Sequence, residues 1–185
     1  MRTLYRLVII TGILAINLLS ATIEFDVSVV GTTGSGETLY RYIYSLDQLT
    51  LQQNMEVDIR FDPALYGELL NPLAPADFDL LILQPNNPPG TFGDYSVLAL
   101  VNNPAVNGLF SVDFTFTGPG MPGSQPFFIN LIDPVSGAIT PIDSGVTTAA
   151  GAVVPEPGTL SFGCAALLTT ILARALKRAA RARVR

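Results

Sequence analysis

The chain has 185 residues, of which 49% are hydrophobic, and a formal net charge of −5. It contains one cysteine, Cys164, and no histidine or tryptophan. These absences exclude an intramolecular disulfide, a Ser–His–Asp triad, a Cys–His pair and a histidine-ligated zinc site. The length suits one ordinary domain together with processing segments.

Charge is divided sharply along the chain. Residues 22–154 hold fourteen acidic residues and only two basic ones, Arg41 and Arg60. The other basic residues lie near the two ends. This arrangement predicts a topology in which both ends face the cytoplasm and the acidic middle lies outside.

The N-terminus has the features of a secretory signal peptide. Arg2 and Arg6 precede an apolar run at 7–19, and the small residues Ser20 and Ala21 follow. Thirteen residues rise only about 20 Å as a helix, too little for an ordinary membrane span. We therefore expect residues 1–21 to direct export by the Sec machinery and to be removed by signal peptidase. An uncleaved N-terminal anchor is the alternative, because Leu19 fits the cleavage pattern poorly.

Residues 22–144 are predicted to form an all-β domain. Polar and apolar residues alternate along several segments, which indicates strands with one buried face. About eight such segments, separated by Gly-, Pro- and Asn-rich turns, predict an antiparallel β-sandwich. They lie at 23–29, 40–46, 55–61, 80–83, 97–101, 110–116, 127–133 and 138–142. In strand number and spacing the body loosely resembles cohesin-like and immunoglobulin-like sandwiches.

Two segments of the body lack this alternation. Residues 62–70 are predicted to contain a short helical turn. Residues 145–153 are small and unpatterned, and they are predicted to be a linker through which a protease reaches the C-terminal segment.

Pairs of carboxylates are the only candidate catalytic residues in the body. Asp77 with Asp79, or Asp58 with Asp62, could supply the acid and base of glycoside hydrolysis. Asp77 and Asp79 are also candidates for calcium binding, since Ca²⁺ prefers carboxylate oxygens. The simpler interpretation is a solvated acidic surface. No cofactor is expected.

A row of tyrosines at 40, 42 and 44 allows two interpretations. Side chains two residues apart share one face of a strand, so the three rings line up. The row could face a carbohydrate, but the sequence favours a place in the sandwich core.

The C-terminus has three parts in a fixed order. A proline-rich motif is followed by an uncharged, mostly apolar run at 159–173 and then by a basic tail. The motif consists of Val154, Pro155, Glu156, Pro157 and Gly158. The tail contains Arg174, Lys177, Arg178, Arg181, Arg183 and Arg185. The apolar run would form a transmembrane helix only about 22 Å long. The basic tail would anchor and orient this helix, because each positive charge near an anionic membrane surface contributes about 1 kcal/mol of binding free energy. A nucleic-acid partner is not expected, because the tail has no interleaved aromatic residues.

Residues 154–185 resemble the PEP-CTERM sorting signal, a tail also called the ice-binding-protein C-terminal domain. The resemblance implies that exosortase, a membrane-embedded transpeptidase-like protease, recognises Pro155, Glu156 and Pro157. It also implies a Gram-negative host that makes exopolysaccharide. Cys164, Thr169 and Thr170 make the apolar run more polar than is usual in the family.

Two functions from different classes follow. The first is a non-enzymatic surface or matrix protein, held in the inner membrane as a precursor and then delivered to the cell surface or outside, where it associates with exopolysaccharide. The second is an extracellular polysaccharide hydrolase that uses an Asp pair. Ice binding is a weaker third option, because Thr115 and Thr117 alone do not form a flat Thr-x-Thr array.

Overall fold

The computed structural model describes residues 21–151, and this part of the chain is all-β, with no helix. None of its elements is a helix that could cross a membrane. Of the predicted signal peptide it includes only Ala21; the sorting motif, the predicted transmembrane helix and the basic tail lie outside it. Its strands are β1 (Glu24–Thr32), β2 (Thr38–Ser45), β3 (Met55–Phe61), β4 (Tyr66–Leu73), β5 (Phe78–Leu83), β6 (Gly93–Ala99), β7 (Phe110–Phe116), β8 (Pro126–Ile132), β9 (Ile139–Val146) and β10 (Thr148–Ala149).

The ten strands form two five-stranded sheets. Sheet A has the order β10-β1-β2-β7-β4, and sheet B has the order β5-β6-β3-β8-β9. Every neighbouring pair is antiparallel except β1 and β10, which are parallel. The predicted all-β sandwich is thereby confirmed, with ten strands where about eight were expected.

The core lies between the sheets and is rich in aromatic rings. In β3, Val57, Ile59 and Phe61 are buried in the core, because alternate residues of a strand share a face. From sheet A, Tyr42 stacks on Phe114 with ring centroids 4.6 Å apart. Such a pair adds about 0.5–1.5 kcal/mol to the hydrophobic gain of burying the rings. The aromatic core therefore holds the two sheets face to face.

The predicted helical turn at 62–70 is confined to the start of that segment. The amides of Leu65 and Tyr66 both donate to the Asp62 carbonyl, which closes a single turn, and the chain enters β4 at Tyr66. The alternation of β4 is obscured because its register with β7 shifts twice, between Tyr66 and Leu69 and again before Leu73. Each shift inserts residues that face neither side regularly, so the strand has no clean period of two.

The predicted linker at 145–153 begins too early, because residues 145–146 and 148–149 lie in strands. β9 extends to Val146, and Thr147 carries the chain across from sheet B to sheet A. The amides of Thr148 and Ala150 then donate to the carbonyls of Ile23 and Phe25. These small residues pair through their main chain, which leaves no side-chain pattern in the sequence.

Candidate functional site

Asp77 and Asp79 do not form a site with other acidic residues. Asp77 precedes β5, and its Oδ2 accepts a hydrogen bond from the Ala105 amide at 3.0 Å. Asp79 is exposed on β5. Within residues 21–151 no three His, Cys, Asp or Glu side chains are grouped to hold a metal ion. The pair therefore offers a cation at most two carboxylates, one of which already binds the main chain.

The second sequence-predicted pair, Asp58 and Asp62, serves two different purposes. Asp58 lies on β3, on the face of sheet B that points away from the core. Asp62 follows the strand, and its Oδ1 accepts a hydrogen bond from the Ala64 amide at 2.9 Å. Asp62 thus stabilises the turn that leads into β4.

The tyrosine row belongs to the core at Tyr42 and Tyr44, as the sequence favoured. The Tyr42 hydroxyl donates to the Gly123 carbonyl at 2.6 Å and lies 3.1 Å from the Tyr66 hydroxyl. The Tyr44 hydroxyl donates to Gln125 Oε1 at 2.8 Å. Burial raises the pKa of Tyr42 and of Tyr44 well above the usual value. Both phenols stay neutral and fix the loop between β7 and β8.

A buried carboxylate on the outer face of sheet A is fully paired. Asp113 of β7 is 1% exposed, and Arg41 of β2 binds it through two nitrogens. Asn71 donates a further hydrogen bond at 3.0 Å. Burial alone would raise the pKa of Asp113, but the hydrogen bonds from Arg41 and Asn71 lower it below its usual value. This ion pair is structural, since no acceptor oxygen is left over.

A second buried carboxylate, on the outer face of sheet B, is poorly paired. Asp58 is 9% exposed, and its nearest cation is Arg60, whose Nε lies 3.6 Å from Asp58 Oδ2. The same Nε lies 3.6 Å from Asp94 Oδ1 on β6. Asp58 Oδ1 accepts no hydrogen bond from residues 21–151. Burial, together with the charge of Asp94, raises the pKa of Asp58 to about 7.

The surroundings of Asp58 and Asp94 are acidic. Glu56 lies two residues before Asp58 on the same face, and it accepts hydrogen bonds from Ser96 and Asn130. Among residues 21–151, Arg60 is the only cation near these carboxylates, and its guanidinium carbon lies 4.6 Å from the centre of the Phe128 ring. A strongly perturbed carboxylate with incomplete pairing is a common mark of a functional surface.

Arg60 also lines a cavity of about 400 Å³ at the edge of this cluster. The register pairs Phe61 with Gly93, and β8 begins beside them, so strand ends and loops meet here. The lining combines three aromatic side chains, four polar ones and three others: Arg60, Asp62, Leu65, Tyr66, Phe92, Phe116, Gly123, Ser124, Gln125 and Pro126. This cavity is called the Arg60 cavity below.

One buried polar group in the wall of the Arg60 cavity lacks a partner. Gln125 is 1% exposed, and its Oε1 accepts the hydrogen bond from Tyr44. Its Nε2 donates no hydrogen bond to residues 21–151. An unpaired buried amide costs about 1–3 kcal/mol, which a ligand or a water that accepts its hydrogen bond would recover.

A second cavity adjoins the first, because Tyr66 belongs to both walls. It measures about 430 Å³ and is called the Pro63 cavity. It is lined by Pro63, Tyr66, Gly67, Glu68, Gln84, Pro85, Asn86 and Thr117. Gln84 accepts from the Leu69 amide and donates to the Leu69 carbonyl, both at 2.8 Å, so its amide is already used. Each cavity falls in the usual size range of small-ligand sites.

Neither cavity was predicted from the sequence. Their walls combine residues from β3, β4, β7, β8 and three loops that are distant along the chain. The one usable signal was Phe92, a large apolar residue in a loop of prolines, glycines and asparagines, which is 45% exposed.

Compared with models of protein families and with curated proteins, the chain matches none.

Proposed function

We propose that this chain is an exported, non-enzymatic surface or matrix protein. Its C-terminal segment 154–185 acts as a PEP-CTERM sorting signal that exosortase recognises and removes, and its body associates with exopolysaccharide. The precursor is held briefly in the inner membrane before the body reaches the cell surface or the medium.

The order of the C-terminal elements carries this proposal. The motif at 154–158, the apolar run at 159–173 and the basic tail follow one another in a chain that begins with a basic and then apolar segment. Each proline fixes its own backbone and disfavours helix at the preceding residue, so the motif separates the body from the apolar run. The positive-inside rule then directs the tail to the cytoplasm and the acidic body to the opposite side.

The spacing between the body and the motif is compatible with this order. β10 ends at Ala149, and four residues separate it from Val154. Four extended residues span at most about 14 Å. Processing at the motif would therefore take place close to the folded body, without the longer linker that the sequence suggested.

The experiment is mass spectrometry of the exported protein from a host that makes exosortase. We expect the mature C-terminus to lie near Pro155, with Arg185 absent. Replacing Glu156 and Pro157 by alanine should leave an uncleaved precursor in the membrane. Val135→Ala is the matched control, because Val135 is 95% exposed in the turn between β8 and β9. Recovery of the exported wild-type protein with Arg185 intact would refute the proposal.

A further inference from the structure

The Arg60 cavity combines aromatic rings with hydroxyl-binding groups. Phe92 is exposed, and Phe116 is half-buried beside Tyr66 in the same wall. Arg60 supplies donors, Asp62 supplies acceptors, and the exposed Ser124 supplies a hydroxyl that can do both. A sugar ring has an apolar C–H face and a rim of hydroxyl groups, and it matches this mixture better than a purely apolar ligand does.

We propose that the Arg60 and Pro63 cavities are consecutive subsites for an uncharged polysaccharide chain. The inference rests on the proposed association with exopolysaccharide, and it names the binding surface and the class of sugar.

The unpaired amide of Gln125 points to a ligand independently of the acidic cluster. The side chain is almost fully buried in the cavity wall, and one of its two polar atoms has no partner within residues 21–151. Its carbonyl oxygen is held by Tyr44, which fixes the orientation of the amide. The Nε2 group is thus a buried donor whose desolvation an acceptor, such as a sugar hydroxyl oxygen, would offset.

The surrounding charge selects against an acidic sugar. Among residues 21–151, Arg60 is the only basic residue in either cavity wall, and it already lies between Asp58 and Asp94. Asp62 and Glu68 add negative charge to the two walls. These acidic side chains would repel a carboxylated sugar, and Arg60 is already shared by two carboxylates. A neutral sugar is therefore favoured.

The shared Tyr66 indicates a chain rather than a single sugar. The Pro63 cavity shares that ring, and its wall contains the exposed polar residues Glu68, Asn86 and Thr117. A ligand that spans both cavities gains contacts in the second cavity without a second loss of translational and rotational entropy. Affinity should therefore rise steeply from a monosaccharide to an oligosaccharide.

The test is calorimetric titration of the full chain, solubilised in a detergent without a sugar headgroup. The probes are cellohexaose and mannohexaose as neutral chains, hexagalacturonate as the acidic chain, a glucosamine hexamer as the basic chain, and glucose and mannose as single sugars. We expect at least one neutral hexamer to bind at least about tenfold more tightly than its own monosaccharide and than hexagalacturonate.

Variants locate the binding surface. Phe92→Ala should weaken binding of the neutral hexamer about five- to tenfold, since it removes an exposed ring from the cavity wall. Ser124→Ala should weaken it less. Val135→Ala should change nothing, because Val135 follows β8 at the end opposite Pro126. The thermal unfolding curve of Phe92→Ala checks that the variant is folded.

Three results would overturn the inference. They are no binding of either neutral hexamer at millimolar concentration, tighter binding of the acidic or the basic hexamer, and unchanged binding in folded Phe92→Ala. These results leave the sorting proposal intact, because that proposal is tested by the mature C-terminus. An unprocessed tail on a glycan-binding protein would refute the sorting proposal alone.

Discussion

Arg41 binds both carboxylate oxygens of Asp113, with Nε 2.6 Å from Oδ1 and a terminal nitrogen 2.9 Å from Oδ2. The fork geometry matches two parallel hydrogen bonds, which are stronger than contacts between neutral groups. Asp113 is buried, so its charge depends on these partners rather than on water.

Removing the guanidinium should leave a buried charge without a partner. We expect Arg41→Met to lower the free energy of unfolding at pH 7 by about 2–3 kcal/mol, less than for a fully buried pair because Arg41 is partly exposed. Arg41→Lys, which keeps the charge but not the fork, should lose an intermediate amount. The check is urea denaturation, and a loss below about 0.5 kcal/mol for Arg41→Met would contradict this role.

Asp58 should make the fold less stable as the pH rises. Its pKa of about 7 lies above the value of an unfolded aspartate. The protonated form is therefore favoured by folding, and its contribution is fully present below about pH 4 and is lost as the pH rises through about 7. The groups that face it are Glu56, Arg60 and Asp94: the two carboxylates oppose the ionisation of Asp58, and Arg60 favours it.

Asp58→Asn tests this pH dependence. Asparagine keeps the shape and cannot ionise, so the variant should lose much of the fall in unfolding free energy between pH 5 and pH 8. At pH 8 it should be more stable than the wild type, by on the order of 1–3 kcal/mol. Asp79→Asn, an exposed change on the same sheet, is the control and should leave the profile unchanged. Parallel profiles for the wild type and Asp58→Asn would show that Asp58 ionises normally.

Thr147 and Thr148 provide a matched pair at the crossing between the sheets. The buried Thr147 accepts a hydrogen bond from the main-chain amide of Gln125 through Oγ1 at 2.9 Å. Thr148 Oγ1 is buried without a partner among residues 21–151. Thr147→Val should therefore cost about 1–3 kcal/mol, whereas Thr148→Val should be neutral or stabilising. Guanidinium denaturation distinguishes the two variants, and equal losses would contradict the assignment.

Strands with regular alternation could be predicted from the sequence, and the others could not. β3 and β7 show a clean period of two because one face of each packs on the core. The two register shifts of β4 remove that signal, as do the few small residues of β10. In both segments the strand is defined by main-chain partners that lie elsewhere in the sequence.

The behaviour of the acidic residues was beyond sequence analysis for the same reason. Asp58 and Asp113 have the same place in an alternating pattern, yet their pKa values shift in opposite directions. Arg41, which lowers the pKa of Asp113 by hydrogen bonding to it, lies 72 residues away along the chain. Likewise, Phe92 and Gln125 meet in one cavity wall only after both sheets have formed.

The parallel pairing of β1 with β10 has a consequence for folding during synthesis. β1 is the first strand of the body to be made, and the start of its outer edge, at Glu24 and Phe25, pairs with Thr148 and Ala149, close to the end of the body. Until those residues are made, this part of the β1 edge lacks its partner strand. Completion of sheet A is therefore coupled to the synthesis of its final strand.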